Sequence, residues 1–332
     1  MRDRKKEIRL ALPSKGRLAD GALALLEAAG LAVHKSTPRR FQASIPSLPG
    51  ITVLFQRAAD IPVSLRDNAV DLGITGWDLV QERTGNDPRI LSLLPKLGFG
   101  HCRLNLIAPE GWREVNRVED LNHAPIPKRL RVATKFPNLT GAFLSRHHLN
   151  EAHLVPAEGT LEVAPALGCA DIIADLVSAG TTLRENHLKL LENGCILESQ
   201  ASLVANRHAL KTRPAALNAA QTLVELLVAY LRAVEQLSVF ANVRAESTEK
   251  LAAQLAGKPA ITGLQGPTVA PVLTRGEDKL FSMHIIVSKD KLTRAIAELR
   301  EIGGSGIVAT PVSYIFEEQP QACMNLAEAL KE

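Results

Sequence analysis

Residues 101–109, HCRLNLIAP, read as a long strand that leaves one strand–helix unit and enters another. Before it, the chain alternates. IRLALPS (8–14) reads as a buried strand ending at Pro13, and LADGALALLEAAGL (18–31) as an amphipathic helix closed by Gly30. ITVLFQ (51–56) is a second strand, ADIPVSLRDNAV (59–70) a helix with Pro62 in its first turn, and DLGITG (71–76) a third strand. This order predicts an open, mostly parallel α/β sheet.

After residue 109 the alternation starts again. LRVATKF (130–136) reads as strand, PNLTGAFLSRHHL (137–149) as helix, AHLVPAEG (152–159) as strand and LEVAPALGCADIIADLV (161–177) as helix. CILESQASLVANRHAL (195–210) reads as the strand that returns. Two crossings between two α/β units predict a hinged bilobal body with its cleft at the crossovers. Lobe I then holds residues 1–106 and 201–237, and lobe II residues 107–200.

A long helical stretch from about residue 215 leads to a third section. Strands at 238–243, 268–273, 280–287 and 306–311 and helices at 248–255 and 291–302 give βαββαβ, the ferredoxin-like order, over residues 238–316. ANVRAEST (241–248) reads as the linker, and residues 317–332 as a polar tail.

Composition narrows the function. With 46% hydrophobic and 22% charged residues the 332-residue chain is an ordinary globular protein, and a net charge of +4 lacks the dense basic face that nucleic acid requires. No run reads as a signal peptide or a bilayer span, so no membrane role is expected. Cys102, Cys169, Cys195 and Cys323 are far apart and form no CxxC pair, so zinc and disulfides are not indicated and the default location is cytoplasmic.

The chemistry gathers at strand ends. Ser178-Ala179-Gly180-Thr181-Thr182 is a small, polar turn before a new helix, where converging backbone N–H groups and hydroxyls would suit a phosphate dianion. The plain alternative is a capping box formed by Thr182 and Glu185. Asp171 and Asp175, four apart on the expected helix, would share a face and accept hydrogen bonds from sugar hydroxyls or meet Mg²⁺. Lys15 and Arg17, flanking Gly16 beyond the first strand, would bind phosphate oxygens. Thr75-Gly76 with Asp78, and Lys135 with Phe136, repeat the arrangement from each unit. No general base stands out, which suits a reaction run by positioning and charge neutralisation.

LPSKGRL (12–18), DLGITGWDLV (71–80), VATKFPN (132–138), EGTLEVAPALGCADIIADLVSAGTTLREN (158–186) and GPTVAPVL…MHIIV…GGSGIVATPV (266–312) together resemble the long form of ATP phosphoribosyltransferase, from about Ile8 to Tyr314. The resemblance implies two periplasmic-binding-protein-like lobes, a ferredoxin-like regulatory domain, and a cytoplasmic homo-oligomer moving between dimer and hexamer. It implies condensation of ATP with phosphoribosyl pyrophosphate (PRPP) in the presence of Mg²⁺, the first step of histidine biosynthesis, inhibited by histidine.

By position, Ser178, Ala179, Gly180, Thr181 and Thr182 would hold the PRPP 5-phosphate, with Asp171 and Asp175 at the ribose. Lys15, Gly16, Arg17, Thr75, Gly76 and Asp78 would serve ATP and pyrophosphate, with Lys15, Arg17 and Asp171 catalytic. Lys135 and Phe136 would border adenine. Pro267, Thr268, Met283, Ser305 and Gly306 would form the histidine pocket. Mg²⁺ would meet Asp171 or be carried by the substrate. Ala179 stands where the family more often has Thr, and Phe136 where it more often has Tyr. The alternative reading is a non-catalytic bilobal anion- or nucleotide-binding protein, or a regulatory subunit.

Overall fold

The structure, a computed structural model, describes residues 7–35, 37, 41–123, 127, 129–157, 159–177, 181–274 and 279–331. The chain opens with β1 (Ile8–Pro13), α1 (Arg17–Ala28), β2 (Gln42–Ser44), β3 (Ile51–Gln56), α2 (Ile61–Arg66), β4 (Leu72–Gly76), α3 (Trp77–Thr84) and β5 (Ile90–Leu94). β6 (Cys102–Pro109), β7 (Arg131–Thr134), α4 (Pro137–Arg146), β8 (His153–Pro156), β9 (Ile172–Val177), α5 (Thr181–Glu185) and β10 (Leu188–Ser199) follow. β11 (Ala201–Asn206), α6 (Arg207–Thr212) and α7 (Pro214–Ala233) complete this part.

Two sheets result, ordered β2-β3-β1-β4-β11-β5 and β10-β6-β9-β7-β8. β1 lies between β3 and β4, parallel to both, and its Leu10, Ala11 and Leu12 are fully buried, as a central parallel strand requires. Both sheets are mixed rather than mostly parallel. β11 runs antiparallel to β4 and β5, and β6 antiparallel to β9 and β10. A strand that crosses over from the other lobe enters against the local direction.

The two crossings are bonded to each other. Gly98 N–H donates to Gln200 Oε1 (3.0 Å), Ala201 N–H to Phe99 O (2.9 Å) and Leu97 N–H to Ala201 O (3.0 Å). The returning stretch is therefore two strands broken at Gln200, not one. β6 lies wholly in the second sheet, so the first crossing falls before Cys102 rather than at residue 106.

The segment 161–177 corrects the helix expected there. Leu161–Val163 makes a single 3₁₀ turn, and Ile172–Val177 is a strand with Ile172, Ile173 and Ala174 at 0% exposure. A short apolar run buried on both faces has no periodicity that separates strand from helix, and the tertiary position between β6 and β7 decided it. Asp175 thus belongs to a strand, and Asp171 immediately precedes it.

By contact density the chain divides into Met1–Val224 with Ala322–Glu332, and Glu225–Gln321. In the second unit, β12 (Gln236–Arg244), α8 (Thr248–Leu255), β13 (Thr268–Pro271), β14 (Leu280–Ser288), α9 (Leu292–Glu301) and β15 (Gly304–Pro311) give the expected βαββαβ order. Its antiparallel sheet runs β13-β14-β12-β15, and the core beneath α8 and α9 is built on Val239, Ala241, Met283, Ile285 and Leu299. ANVRAEST is not a linker: residues 241–244 finish the central strand β12, and its alternation of buried Ala241 and Val243 with polar neighbours made it look loop-like. The tail forms α10 (Gln321–Ala329), and Arg207 Nη1 donates to Ala329 O at 2.7 Å.

By length and composition α7 is apolar enough to cross a membrane, contrary to expectation. Its fully buried Ala216, Ala220, Leu223, Val224 and Leu227 recur every three or four residues, the stripe of a helix that packs on protein.

Candidate active site

β1 ends at Pro13, and Gly16 caps the start of α1 at φ +78°, a backbone conformation that an L side chain rarely adopts. That turn puts Lys15 and Arg17 on the wall of a cleft of about 360 Å³, together with Leu18, Asp78, Gly100, His101, Cys102 and Leu176. A second cleft, of about 490 Å³, shares His101 and Cys102 and adds Trp77, Lys96, Arg103, Val177 and Ser199. Both lie where the strands change lobe. Their walls include Leu176 and Val177, the end of β9 that leads into residues 178–180.

Asp78 is held there by two features. Ser199 Oγ donates to Asp78 Oδ1 (2.7 Å) and accepts the Asp78 N–H (2.8 Å). A Cβ on Gly76 would lie 2.4 Å from Asp78 Oδ1, so glycine makes room for this carboxylate. Burial raises the Asp78 pKa, with the Ser199 hydroxyl and the N–H groups at the start of α3 opposing. The Cys102 thiol beside it is pushed up to about 11, by burial first and then by the negative charge of Asp78. Thr75 is fully buried and its hydroxyl donates to Ala58 O (2.8 Å), which makes it part of the scaffold under the cleft.

Lys135 and Phe136 line a third cleft, of about 580 Å³, with Leu79, Glu82, Arg83, Asn138 and Pro156. Phe136 is only 4% exposed, and its N–H donates to Thr134 Oγ1 (3.0 Å). The residues expected to serve the nucleotide therefore fall in two groups, with α3 supplying Asp78 to one and Leu79, Glu82 and Arg83 to the other.

The two aspartates separate. Asp171 precedes β9, at the end away from residues 178–182, and six strand residues span roughly 20 Å. Its Oδ2 accepts the Arg131 N–H (2.7 Å) and its Oδ1 the Arg131 guanidinium (2.8 Å). Burial works against ionisation of Asp171, but these bonds and the Arg131 charge hold its pKa below the ordinary value. Asp171 is a clasp between strands, and the expected ribose, catalytic and metal positions fall away from it, because a strand carries it past the cleft where a helix would have turned it inward. Asp175 lies two residues from the end of β9. Burial raises its pKa, the Leu176 N–H and Lys135 oppose, and Glu162 adds to the rise. Glu162 and Ser199 carried no signal of their own in the sequence; only their placement marks them.

Ser178, Ala179 and Gly180 lie outside the described residues. α5 begins at Thr181, so a cap at Thr182 falls one residue inside the helix. No group of three or more metal-ligating side chains occurs among the described residues.

In the second unit, Thr268 pairs in register with His284, and both line a cleft of about 710 Å³ that also includes Gly266, Arg232 and Glu317. The His284 ring stacks on Phe240 (4.3 Å) and Nε2 lies 2.8 Å from Ser238 Oγ. Met283 points the other way, 1% exposed in the core, and so lies away from any effector pocket on the open face. Ser305 and Gly306 sit on β15, at the opposite edge of the sheet from Pro267 and Thr268, three strand spacings or roughly 14 Å away.

Two α/β lobes, with cations and a buried acid where their strands cross, define a bilobal body that handles anionic substrates. Residues 57–232 match the profile of ATP phosphoribosyltransferase, and residues 233–314 that of the HisG C-terminal domain. The chain is 40% identical over 324 residues to ATP phosphoribosyltransferase 2, chloroplastic, of Arabidopsis thaliana, covering 95% of this chain and 78% of that one. It is 36% identical over 309 residues to the Methanothermobacter thermautotrophicus ATP phosphoribosyltransferase, covering 93% and 99%. The ATP phosphoribosyl transferase (HisG:HisZ) complex from Thermotoga maritima contains a similar chain, with TM-score 0.51 and 25% identity over 66% of this chain and 98% of that one. The chain belongs to the ATP phosphoribosyltransferase family, in the long form with a C-terminal regulatory domain. It is a glycosyltransferase of histidine biosynthesis.

Proposed function

We propose that this chain condenses ATP with PRPP to give 1-(5-phosphoribosyl)-ATP and pyrophosphate, with the crossover clefts as the active site. Adenine N1 forms a bond to the anomeric carbon as the bond from that carbon to the pyrophosphate oxygen breaks, and the electron pair leaves with pyrophosphate. The supporting observation is that Lys15, Arg17 and Asp78 share a cleft with Leu176, two residues in sequence before Ser178.

Lys15 and Arg17 take up charge on the departing pyrophosphate. The backbone N–H groups of residues 178–182 hold the 5-phosphate, and Asp175 accepts hydrogen bonds from the ribose hydroxyls. Lys135 and Phe136 border adenine. Both Asp171 oxygens are engaged by Arg131, so Asp175 with Glu162 beside it is the acidic edge that fits Mg²⁺ carried on substrate phosphates. When bound, Mg²⁺ neutralises charge on the leaving group.

Histidine acts as the inhibitor through the second unit. A small molecule touching both Thr268 and the Ser305-Gly306 start of β15 needs one sheet edge from each of two chains, which ties inhibition to a dimer or hexamer. The unbridged thiols of Cys102, Cys169 and Cys195 support a reducing compartment, which we take to be the cytoplasm.

The test is turnover that requires ATP, PRPP and Mg²⁺ together. Gly180→Val and Thr182→Ala are expected to raise the PRPP KM at least tenfold with little change for ATP. Unchanged PRPP affinity in the Gly180 variant would remove residues 178–182 from the PRPP site, and absence of turnover would remove the proposed reaction.

A further inference from the structure

We propose that Glu82 is a positioning residue that clasps the two lobes and fixes the β7–α4 turn for catalysis. The inference rests on the reading above that Lys135 and Phe136 border adenine.

A helix leaves its first N–H groups without internal partners. In α4 the first residue, Pro137, has no N–H, and the N-cap residue Phe136 places its own on Thr134 Oγ1. Thr140 N–H already bonds Phe136 O at 2.9 Å. The orphans are Asn138 and Leu139. Neither is capped from within α4's own lobe, since Phe136 offers no acceptor side chain. Glu82, on α3 of the other lobe and 5% exposed, supplies both acceptors: Oε1 to Asn138 N–H and Oε2 to Leu139 N–H, each at 3.0 Å.

The contact is reciprocal. Glu82 lies in the last turn of α3, where backbone carbonyls lack helical partners, and Asn138 Nδ2 donates to Glu82 O at 3.0 Å. Each helix end is thus completed by the other lobe. The Glu82 carboxyl group also sits at the positive end of α4. Opening the lobes exposes both helix ends and frees the turn that carries Lys135 and Phe136, so the clasp sets how that turn stands over α3.

The test uses the full-length chain with Glu82→Ala, Glu82→Gln and, as a separate probe of the adenine contact, Lys135→Ala. Amide exchange at Asn138 and Leu139 is expected to quicken at least tenfold in Glu82→Ala, while Phe143 and Leu144 in the same helix stay protected. The ATP KM is expected to rise about tenfold, with kcat changing less, and Glu82→Gln, which keeps one acceptor, is expected to fall between. Unchanged exchange at Asn138 and Leu139, or loss of protection throughout α4, overturns the clasp. If Lys135→Ala shifts the ATP KM and Glu82→Ala does not, the positioning role fails while the adenine reading stands. If neither variant shifts it, the adenine reading fails and the positioning role with it.

Discussion

Ser199 and Asp78 exchange two hydrogen bonds across the lobes: the serine hydroxyl donates to the carboxylate at 2.7 Å and accepts the aspartate N–H at 2.8 Å. Ser199 ends β10, the strand that brings the chain back from the second lobe, and Asp78 lies in the first turn of α3, which follows β4 of the first. Removing the hydroxyl leaves a buried N–H and a buried carboxylate short of a partner. Ser199→Ala is expected to cost about 1–3 kcal/mol in denaturant unfolding, because unsatisfied buried polar groups carry that penalty. A shift within experimental error would mean that the pair is dispensable.

Gly76 tests the same carboxylate sterically. Its φ is −69°, which any residue adopts, so only the missing Cβ matters. Gly76→Ala puts a methyl group 2.4 Å from Asp78 Oδ1 and must displace the acid. kcat/KM for ATP is expected to fall at least tenfold, about 1.4 kcal/mol of transition-state stabilisation. Wild-type kinetics in this variant would show that Asp78 need not stand where it does.

Asp171, just before β9, and Asp175, within it, should respond in opposite ways. Asp171→Asn loosens the Arg131 clasp and is expected to lower the melting temperature while leaving PRPP kinetics intact. Since the folded pKa of Asp171 lies below 3.8, its stabilisation is complete above that value and disappears as pH falls through the folded pKa. Asp175→Asn is expected to reduce kcat/KM for PRPP at least tenfold with little loss of stability. Its pKa is raised, so the acid limb of activity should lie above the ordinary range of an aspartate and disappear in the variant. A PRPP defect in Asp171→Asn with normal melting would reverse these assignments.

Cys102 offers a pH test of the cleft. With its thiol pushed up to about 11, thiolate is scarce at neutral pH, and alkylation should lag behind that of exposed Cys169 and accelerate with alkali. ATP should slow it further, since Cys102 lines both crossover clefts. Equal rates at the two cysteines at pH 7.5, a condition on the order of three units below that pKa, would contradict the burial described here.

For the second unit, the boundary matters. Cutting after Val239 would split β12, the strand that pairs with both β14 and β15. A chain ending at Val234 is expected to retain turnover and lose inhibition by histidine, with size measured alongside. Inhibition that persists would place the effector elsewhere. Met283→Ala should destabilise the second unit by about 2–5 kcal/mol, as large-to-small core changes do, and leave histidine affinity unchanged in the folded protein.

The sequence alone determined most of the frame. Buried runs such as IRLALP, punctuated by Pro13, Gly30 and Pro62, carry their own local signals, and the alternation in residues 236–311 spelled out βαββαβ because each element is amphipathic with a distinct period. Strand-end positions of Lys15, Arg17, Asp78, Lys135 and Phe136 were legible for the same reason. Tertiary structure decided what local pattern leaves degenerate. The apolar start of IIADLV, Ile172 to Ala174, is buried on both faces and has no period, so only its place between β6 and β7 made it a strand, carrying Asp171 away from the cleft and leaving Asp175 near it. Sheet order set Thr268 and Ser305 on opposite edges, and lobe packing gave Ser199 and Glu82 their partners 121 and 56–57 residues away. Such contacts depend on non-local geometry, and no local stretch of chain encodes that.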